Sequence, residues 1–422
     1  MDPNISLTEE WVKSWRAQFP ALAQKIQGKK FAYLDSAATT LKPWPVIERV
    51  SRFLTYETAN VHRGAYRLSQ QATENFERAR QSVTEFLGAT QAEEVIFTRG
   101  TTESVNFLAY QLMVAENKLG TGDAILVTES EHHSNYLPWQ ALCRKQGWKF
   151  LVLPVAETGL PDWSLLPKLL TEHRVRLFAF SPLSNVIGYP FDVPGLVQIV
   201  RQHSLQTLIF VDAAQWVSFA PTRVKDWDVD FLAFSGHKLF GPYGVGVLYL
   251  RLSHASHMEP FLYGGGMVDY AGLEESRFLE SPFRFEAGTP NIEGVLGLGA
   301  AVETLKSLSW QALQEHESAL KKRLWEFLHQ FPFVRILGPK EFYSGPILSM
   351  SFSGAHASDV AELLGQENVY VRAGHHCAQP LHRAVGVSHS LRVSFSVYND
   401  ESDVERFEKA FLQACDILGL KT

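Results

Sequence analysis

Residues 371–380 read VRAGHHCAQP, which sets one thiol, Cys377, directly after two imidazoles, His375 and His376. Such a triplet can ligate a metal, supply a nucleophile, or do no chemistry and simply pack. The surrounding Gly, His, Gln and Pro offer little apolar surface for a packing cysteine to join. A structural zinc site takes four ligands, and no C-x-x-C or nearby second cysteine accompanies Cys377, so no metal is expected. Cys143 lies in QALCRKQGW, and Cys415 falls in step with Phe411 and Leu418 on the apolar side of the last predicted helix. Both read as packing residues.

Four other stretches carry reactive groups, each after an apolar run. Ser235-Gly236-His237-Lys238 precedes LFGPYGVGVLYL. A lysine pressed between apolar strands loses affinity for its proton, and a neutral amine can condense with an aldehyde. Asp212 ends TLIFVD, where an unpaired charge is costly. It asks for a cationic partner, such as a protonated ring nitrogen, or serves as a helix cap. Arg99-Gly100-Thr101-Thr102-Glu103 combines a glycine, hydroxyls and a helix start, which suits an anion but also suits plain N-capping. His132 and His133 follow DAILVTESE and could bind metal, move protons, stack on a ring or only hydrogen-bond within a loop. An anion loop, His132, Asn185, Asp212 with Gln215, and Lys238 follow one another in chain order. Pyridoxal 5'-phosphate needs that set: a phosphate cradle, a lid for the ring, a carboxylate for its nitrogen and a lysine for its aldehyde.

The elements that would position these groups are legible as apolar runs. EEVIFT (93–98), DAILVT (123–128), KFLVLPV (149–155), RLFAFS (176–181), TLIFVD (207–212) and DFLAFS (230–235) are continuous rather than alternating, as in a parallel sheet covered on both faces. Helical stretches such as 103–114 and 196–203 lie between them, the pattern of an α/β fold. Beyond about residue 297 the texture changes to a long helical stretch over 293–331, short strands (ILSMSF, YVRAG, LRVSFS) and a closing helix over 403–418. The expected division is a large cofactor-binding domain, 31–297, and a smaller α+β domain, 1–30 plus 298–422, with a helix over 8–18 packed on the latter. The chain has 422 residues, 45% hydrophobic and 20% charged, with net charge −6 and no basic run to track a nucleic acid. No apolar stretch is long enough to span a bilayer, and MDPNISLTEEWVKSW lacks the pattern of a signal peptide. With only three scattered cysteines, a reducing, cytoplasmic location is expected.

GTTES (100–104), EHHSNYLPWQ (131–140), SNVIG (184–188), VDAAQ (211–215), FSGHKLFGPYGVGVLY (234–249), RFEAGTPN (284–291), RAGHHCAQP (372–380) and LRVSFSVYN (391–399) together resemble the group II cysteine desulfurases, the SufS/CsdA or selenocysteine lyase-like members of the class V aminotransferases. NVHRGAYRLS (60–69) fits the same pattern. The resemblance implies the aspartate aminotransferase fold (fold type I) and a homodimer.

It also implies roles for the matched residues. Lys238 would carry pyridoxal phosphate, Asp212 would pair with its ring nitrogen, and Gln215 with its phenolic oxygen, near Asn185. His132 would stack on the ring and assist proton transfer. Thr101, Thr102, Ser235 and His237 would hold the phosphate, together with Thr289 from the neighbouring subunit. Arg392 would clamp the substrate carboxylate, Arg372 would line the pocket, and Cys377 would be the nucleophile. L-cysteine would yield L-alanine and a persulfide on Cys377, handed to a SufE-like acceptor protein in iron–sulfur assembly or a related pathway. Selenocysteine lyase activity uses the same residues, and a non-catalytic sulfur-transfer scaffold is the reading from another class. Ser181-Pro182-Leu183, Ala213 and Val393 depart from the family pattern beside matched positions, which leaves the pocket's substrate preference open.

Overall fold

The structure, a computed structural model, describes residues 9–114, 119–120 and 122–420. Seven strands form its main sheet: β1 (Val95–Thr98), β2 (Asp123–Thr128), β3 (Lys149–Leu153), β4 (Arg174–Phe180), β5 (Leu208–Asp212), β6 (Phe231–Ser235) and β7 (Gly246–Leu250). Their spatial order is β1-β7-β6-β5-β4-β2-β3. β2 to β6 pair in parallel, while β7 runs antiparallel to both β6 and β1. The sheet is therefore mixed but mainly parallel. Ile125, Leu126, Val127, Phe178, Phe210 and Phe234 are fully buried in it, which explains why these runs are apolar without alternation. All six expected strands are present.

The sheet places reactive loops at the carboxyl ends of its parallel strands, where open α/β sheets bind ligands. Asp212 is in register with Ala233, so the turn carrying Lys238 leaves β6 beside the Asp212 end of β5. The start of helix Thr101–Val114 reaches the same end of the sheet, where the Thr101 amide donates to Ser235 Oγ at the end of β6. Gly100 has φ +153, and a side chain on Gly246 would stand 2.4 Å from its Cα, so both positions need glycine.

A second, four-stranded antiparallel sheet has the order β8-β9-β11-β10, from β8 (Val334–Leu337), β9 (Ile347–Phe352), β10 (Arg372–Gly374) and β11 (Ser390–Ser394). Helices Ala357–Gln366 and Glu401–Leu418 cover it, with Phe407 and Phe411 fully buried. The chain first enters this region at Ala32–Tyr33, which pairs in parallel with Val369–Tyr370. Asp35 then bridges to Ser394 before the chain passes to the main sheet. The N-terminal helix Glu9–Arg16 is tied to the last helix by Arg16, whose guanidinium lies 2.8 Å from Asp403. Thr8, the expected first residue of that helix, lies outside the described residues.

The continuous helix expected over 293–331 is two helices, Ile292–Leu305 and Trp310–Leu328. Ser309 accepts a hydrogen bond from Ala312 N and starts the second helix, a cap that apolar periodicity does not register. Residue 297, the expected domain boundary, lies within the first of these helices. That helix packs through its glycines on the main-sheet side: a side chain on Gly299 would stand 2.6 Å from Ala79 Cβ. Among the described residues no helix is long and apolar enough to cross a membrane.

Candidate active site

A cavity of about 650 Å³ lies between the carboxyl ends of the main sheet and the loop after β10. Thr101, Thr102, His132, Asn185, Asp212, Gln215, Ser235, His237, Lys238, Arg372, Cys377 and Arg392 all line it, so both sheets contribute to one space. Lys238 follows β6 in a short turn. Burial lowers its amine to about 8, offset in part by Asp212 and Cys377 and assisted by Arg392 and Arg372. Burial pushes Asp212 up, opposed by the Ala214 amide and Lys238. Among the described residues its carboxylate accepts one hydrogen bond, from Ala214 N at 3.0 Å. The buried Glu131 lies behind this floor, pushed up to about 8 by burial, and takes bonds from Thr128, Asn135 and the Ser181 amide.

The groups around Lys238 are held by one another. The Thr101 amide donates to Ser235 Oγ at 3.0 Å, and the two hydroxyls are 2.9 Å apart. Thr102 Oγ1 meets Ser134 Oγ at 2.8 Å. The Ser134 amide donates to His132 Nδ1 at 3.1 Å, which leaves the proton of neutral His132 on Nε2. Burial, with Lys238 next, lowers His132 to about 3, so the ring is neutral at ordinary pH. His237 stacks on Tyr243 at 5.4 Å between ring centroids, and its buried Nδ1 has no partner among the described residues. Gln215 Nε2 donates to Ala37 O at 2.8 Å.

Cys377 is exposed to the cavity at the end of a pinned turn. His376 and Cys377 have φ of 49° and 55°, a left-handed pair of non-glycine residues that must be held in place. Asn185 Nδ2 donates to His376 O at 2.7 Å, and the His133 amide donates to Cys377 O at 2.7 Å. Beneath the turn, His382 Nδ1 donates to Ala378 O at 2.9 Å, so Ser390 Oγ, 2.9 Å from His382 Nε2, donates there when the ring is neutral. His376 Nε2 lies 3.1 Å from that hydroxyl and 3.2 Å from Ser390 O, and donates to them. His375 and His376 thus separate: His375 is exposed, whereas His376 is built into the support of the turn. Among the described residues, no group of three or more His, Cys, Asp or Glu side chains is arranged to hold a metal.

Arg392, on β11, is buried and donates through one terminal nitrogen to Asn185 O at 3.0 Å. Its other terminal nitrogen reaches Asp35 at 3.2 Å, and its Nε has no partner among the described residues. Arg372 donates to the same carboxylate at 2.8 Å. Sequence reasoning missed Asp35, Ser390, His382 and Glu131. Asp35 sits in YLDSAATT, which reads as a turn after a short strand, and only the pairing with β11 reveals its partners. Thr289 is exposed and lines a different cavity, with Arg99 and Glu103, so it does not meet Lys238 within one chain.

The profile of the aminotransferase class-V family matches residues 32–407, and the chain belongs to that family. A protein of Vibrio cholerae described as a probable cysteine desulfurase is 39% identical over 403 residues, covering 96% of this chain and 98% of its own. The crystal structure of the cysteine desulfurase CsdA (S-sulfonic acid) from Escherichia coli superposes with a TM-score of 0.88 at 37% identity, covering 96% of this chain and 98% of that one. The apo cysteine desulfurase of Thermococcus onnurineus gives 0.89 at 36%, covering 97% and 98%.

Proposed function

We propose that the chain is a pyridoxal phosphate-dependent cysteine desulfurase that converts L-cysteine to L-alanine and keeps the sulfur on Cys377. The observation that carries this reading is that Lys238, Cys377 and Arg392, from loops and strands of two sheets, line one cavity. The residues fit the cofactor. Asp212 is buried, and among the described residues its carboxylate takes a single hydrogen bond and the buried Nδ1 of His237 has no partner, while the Thr101 and Ser235 hydroxyls pair on the wall of the same cavity. Asp212 would take the ring nitrogen, Gln215 the phenolic oxygen, His132 the ring face, and Thr101, Thr102, Ser235 and His237 the phosphate. When bound, pyridoxal phosphate supplies the electron sink for charge left at the substrate's α-carbon.

The chain's own residues do the rest. Arg392 binds the substrate carboxylate through a planar fork already oriented by Asn185 O. Lys238, whose amine is lowered by burial, takes the α-proton in its neutral form. The Cys377 thiolate attacks the substrate sulfur. A sulfur–sulfur bond forms, the carbon–sulfur bond breaks with its electron pair left on carbon, and that carbon gains a proton to become the alanine methyl. The balance is one thiol plus L-cysteine giving one persulfide plus L-alanine. The pinned turn limits how far the sulfur can travel, so a SufE-like acceptor comes to the cavity mouth.

Exposed Tyr56, Tyr66, Tyr263 and Leu273 support a homodimer, as does the outlying Thr289, which would complete a neighbouring subunit's site. The large domain, 31–297, would carry the cofactor, and the small one, 1–30 plus 298–422, the thiol. Buried, unpaired Cys143 and Cys415 support a reducing cytoplasm. The test is to incubate reconstituted protein with L-cysteine and a reductant, then measure alanine and sulfide. Equal amounts from the wild type and neither from Cys377→Ser support the reading. Undiminished alanine and sulfide from Cys377→Ser would remove it.

A further inference from the structure

The carbonyl oxygen of His237 collects four donors from one short segment. Thr40 N and Thr40 Oγ1 each lie 3.1 Å away, Thr39 Oγ1 lies at 3.0 Å and Lys42 Nζ at 2.9 Å. A carbonyl oxygen has two lone pairs, so four donors over-determine the peptide that joins His237 to Lys238. Lys42 also donates to Thr40 O at 2.8 Å, which closes the segment on itself. Burial lowers Lys42 to about 7, and a neutral amine keeps two N–H groups, one for each carbonyl. The clamp therefore holds whether or not the amine is charged. The same amine lies 5.2 Å from the centroid of the Tyr243 ring, and that ring stacks on His237 at 5.4 Å with 21° between the planes. Lys42 and Tyr243 thus grip His237 by its carbonyl and by its ring. His237 lines the cavity of Lys238, whereas Lys42 and Tyr243 line a separate groove with Pro242 and Leu54. Burial, with Lys238 and Lys42 next, lowers His237 to about 4, so its ring is neutral at ordinary pH. A neutral imidazole offers an anion a single N–H, and the direction of that N–H decides whether the bond forms.

We propose that Lys42 and Tyr243 are positioning residues for the phosphate of pyridoxal phosphate, acting through His237 from outside the cavity. The inference rests on the reading of the cavity as a pyridoxal phosphate site with His237 at the phosphate. Lys42 fixes the His237 backbone, Tyr243 fixes the plane of the ring, and together they aim its one N–H. Lys238 shares the clamped peptide through its nitrogen, but its four methylenes absorb a small rotation there. The His237 ring, two torsions from the same backbone, does not. A loosened clamp is therefore felt at the phosphate more than at the aldehyde.

The experiment measures, by absorbance of the bound cofactor, the affinity of the full-length apoprotein for pyridoxal 5'-phosphate and for pyridoxal, which lacks the phosphate. The quantity read is the ratio of the two affinities. Lys42→Met keeps the aliphatic stem and removes the donor, and Tyr243→Leu removes the stack at an exposed side chain. Each variant should cut the ratio by about tenfold, by weakening pyridoxal phosphate and leaving pyridoxal in place. Lys42→Arg, which can still donate to two carbonyls, should keep the ratio within about threefold of the wild type. An unmoved ratio in either folded variant overturns the proposal. So does an equal fall for both ligands, which marks a merely structural role. If Lys42→Met does not fold, Tyr243→Leu decides alone. A wild type that binds neither ligand removes the cofactor reading and this proposal with it, whereas wild-type binding with an unmoved ratio in the variants removes the proposal alone.

Discussion

Asn185 Nδ2 donates to the backbone oxygen of His376 at 2.7 Å, joining a loop of the main sheet to the turn that carries Cys377. The same residue's carbonyl accepts from Arg392. One asparagine therefore fixes the thiol's turn with its side chain and the Arg392 guanidinium with its backbone, and the two contacts can be separated by mutation.

Asn185→Ala keeps the backbone contact to Arg392 and strands the His376 carbonyl. Losing a buried partner costs about 1–3 kcal/mol, and the left-handed turn loses one of its restraints. We expect the rate of persulfide formation to fall about tenfold or more, with faster hydrogen exchange over 375–380 and little change in KM for L-cysteine. A raised KM with an unchanged rate would place the role of Asn185 at the carboxylate instead.

Lys238 is lowered to about 8, chiefly by burial. The neutral fraction of its amine therefore rises through pH 8, whereas an exposed lysine titrates near 10.4. Uptake of pyridoxal phosphate by the apoprotein, followed by absorbance, should accelerate with pH to a midpoint near 8. A midpoint above 10 would show that the amine is not buried as described.

Lys321 is fully buried, its Nζ has no hydrogen bond among the described residues, and it lies 3.5 Å from the centroid of the Tyr343 ring. Burial holds it well below the ordinary lysine range. Its unfolded form binds a proton that the folded form does not, so its cost falls as pH rises towards the unfolded value. Lys321→Met should raise the thermal midpoint at neutral pH, with a gain of about 1–3 kcal/mol, and the gain should shrink at pH 10. A lower midpoint would mean that the amine–ring contact outweighs desolvation.

The main strands were legible because burial on both faces demands uninterrupted apolar runs, as in Ile125–Val127. The reactive groups were legible because they sit at the ends of those runs, as Asp212 and Lys238 do. What stayed hidden depends on contacts distant in sequence. Asp35 is 337 positions from Arg372 and gains its meaning only from the pairing of β10 and β11. Ser390 and His382 support Cys377 through a hydrogen-bond chain that no local spacing announces. Lys321 lies on an amphipathic helix where lysine ordinarily faces water, and Ser309 breaks that helical stretch with a cap inside a still-periodic pattern.

The most direct measurement is mass spectrometry of the peptide containing Cys377 after brief exposure of the reconstituted protein to L-cysteine, with alanine counted in the same sample. One added sulfur on Cys377 for each alanine released is the expected result, with Cys143 and Cys415 unmodified. Alanine formed while Cys377 carries no added sulfur would contradict the account.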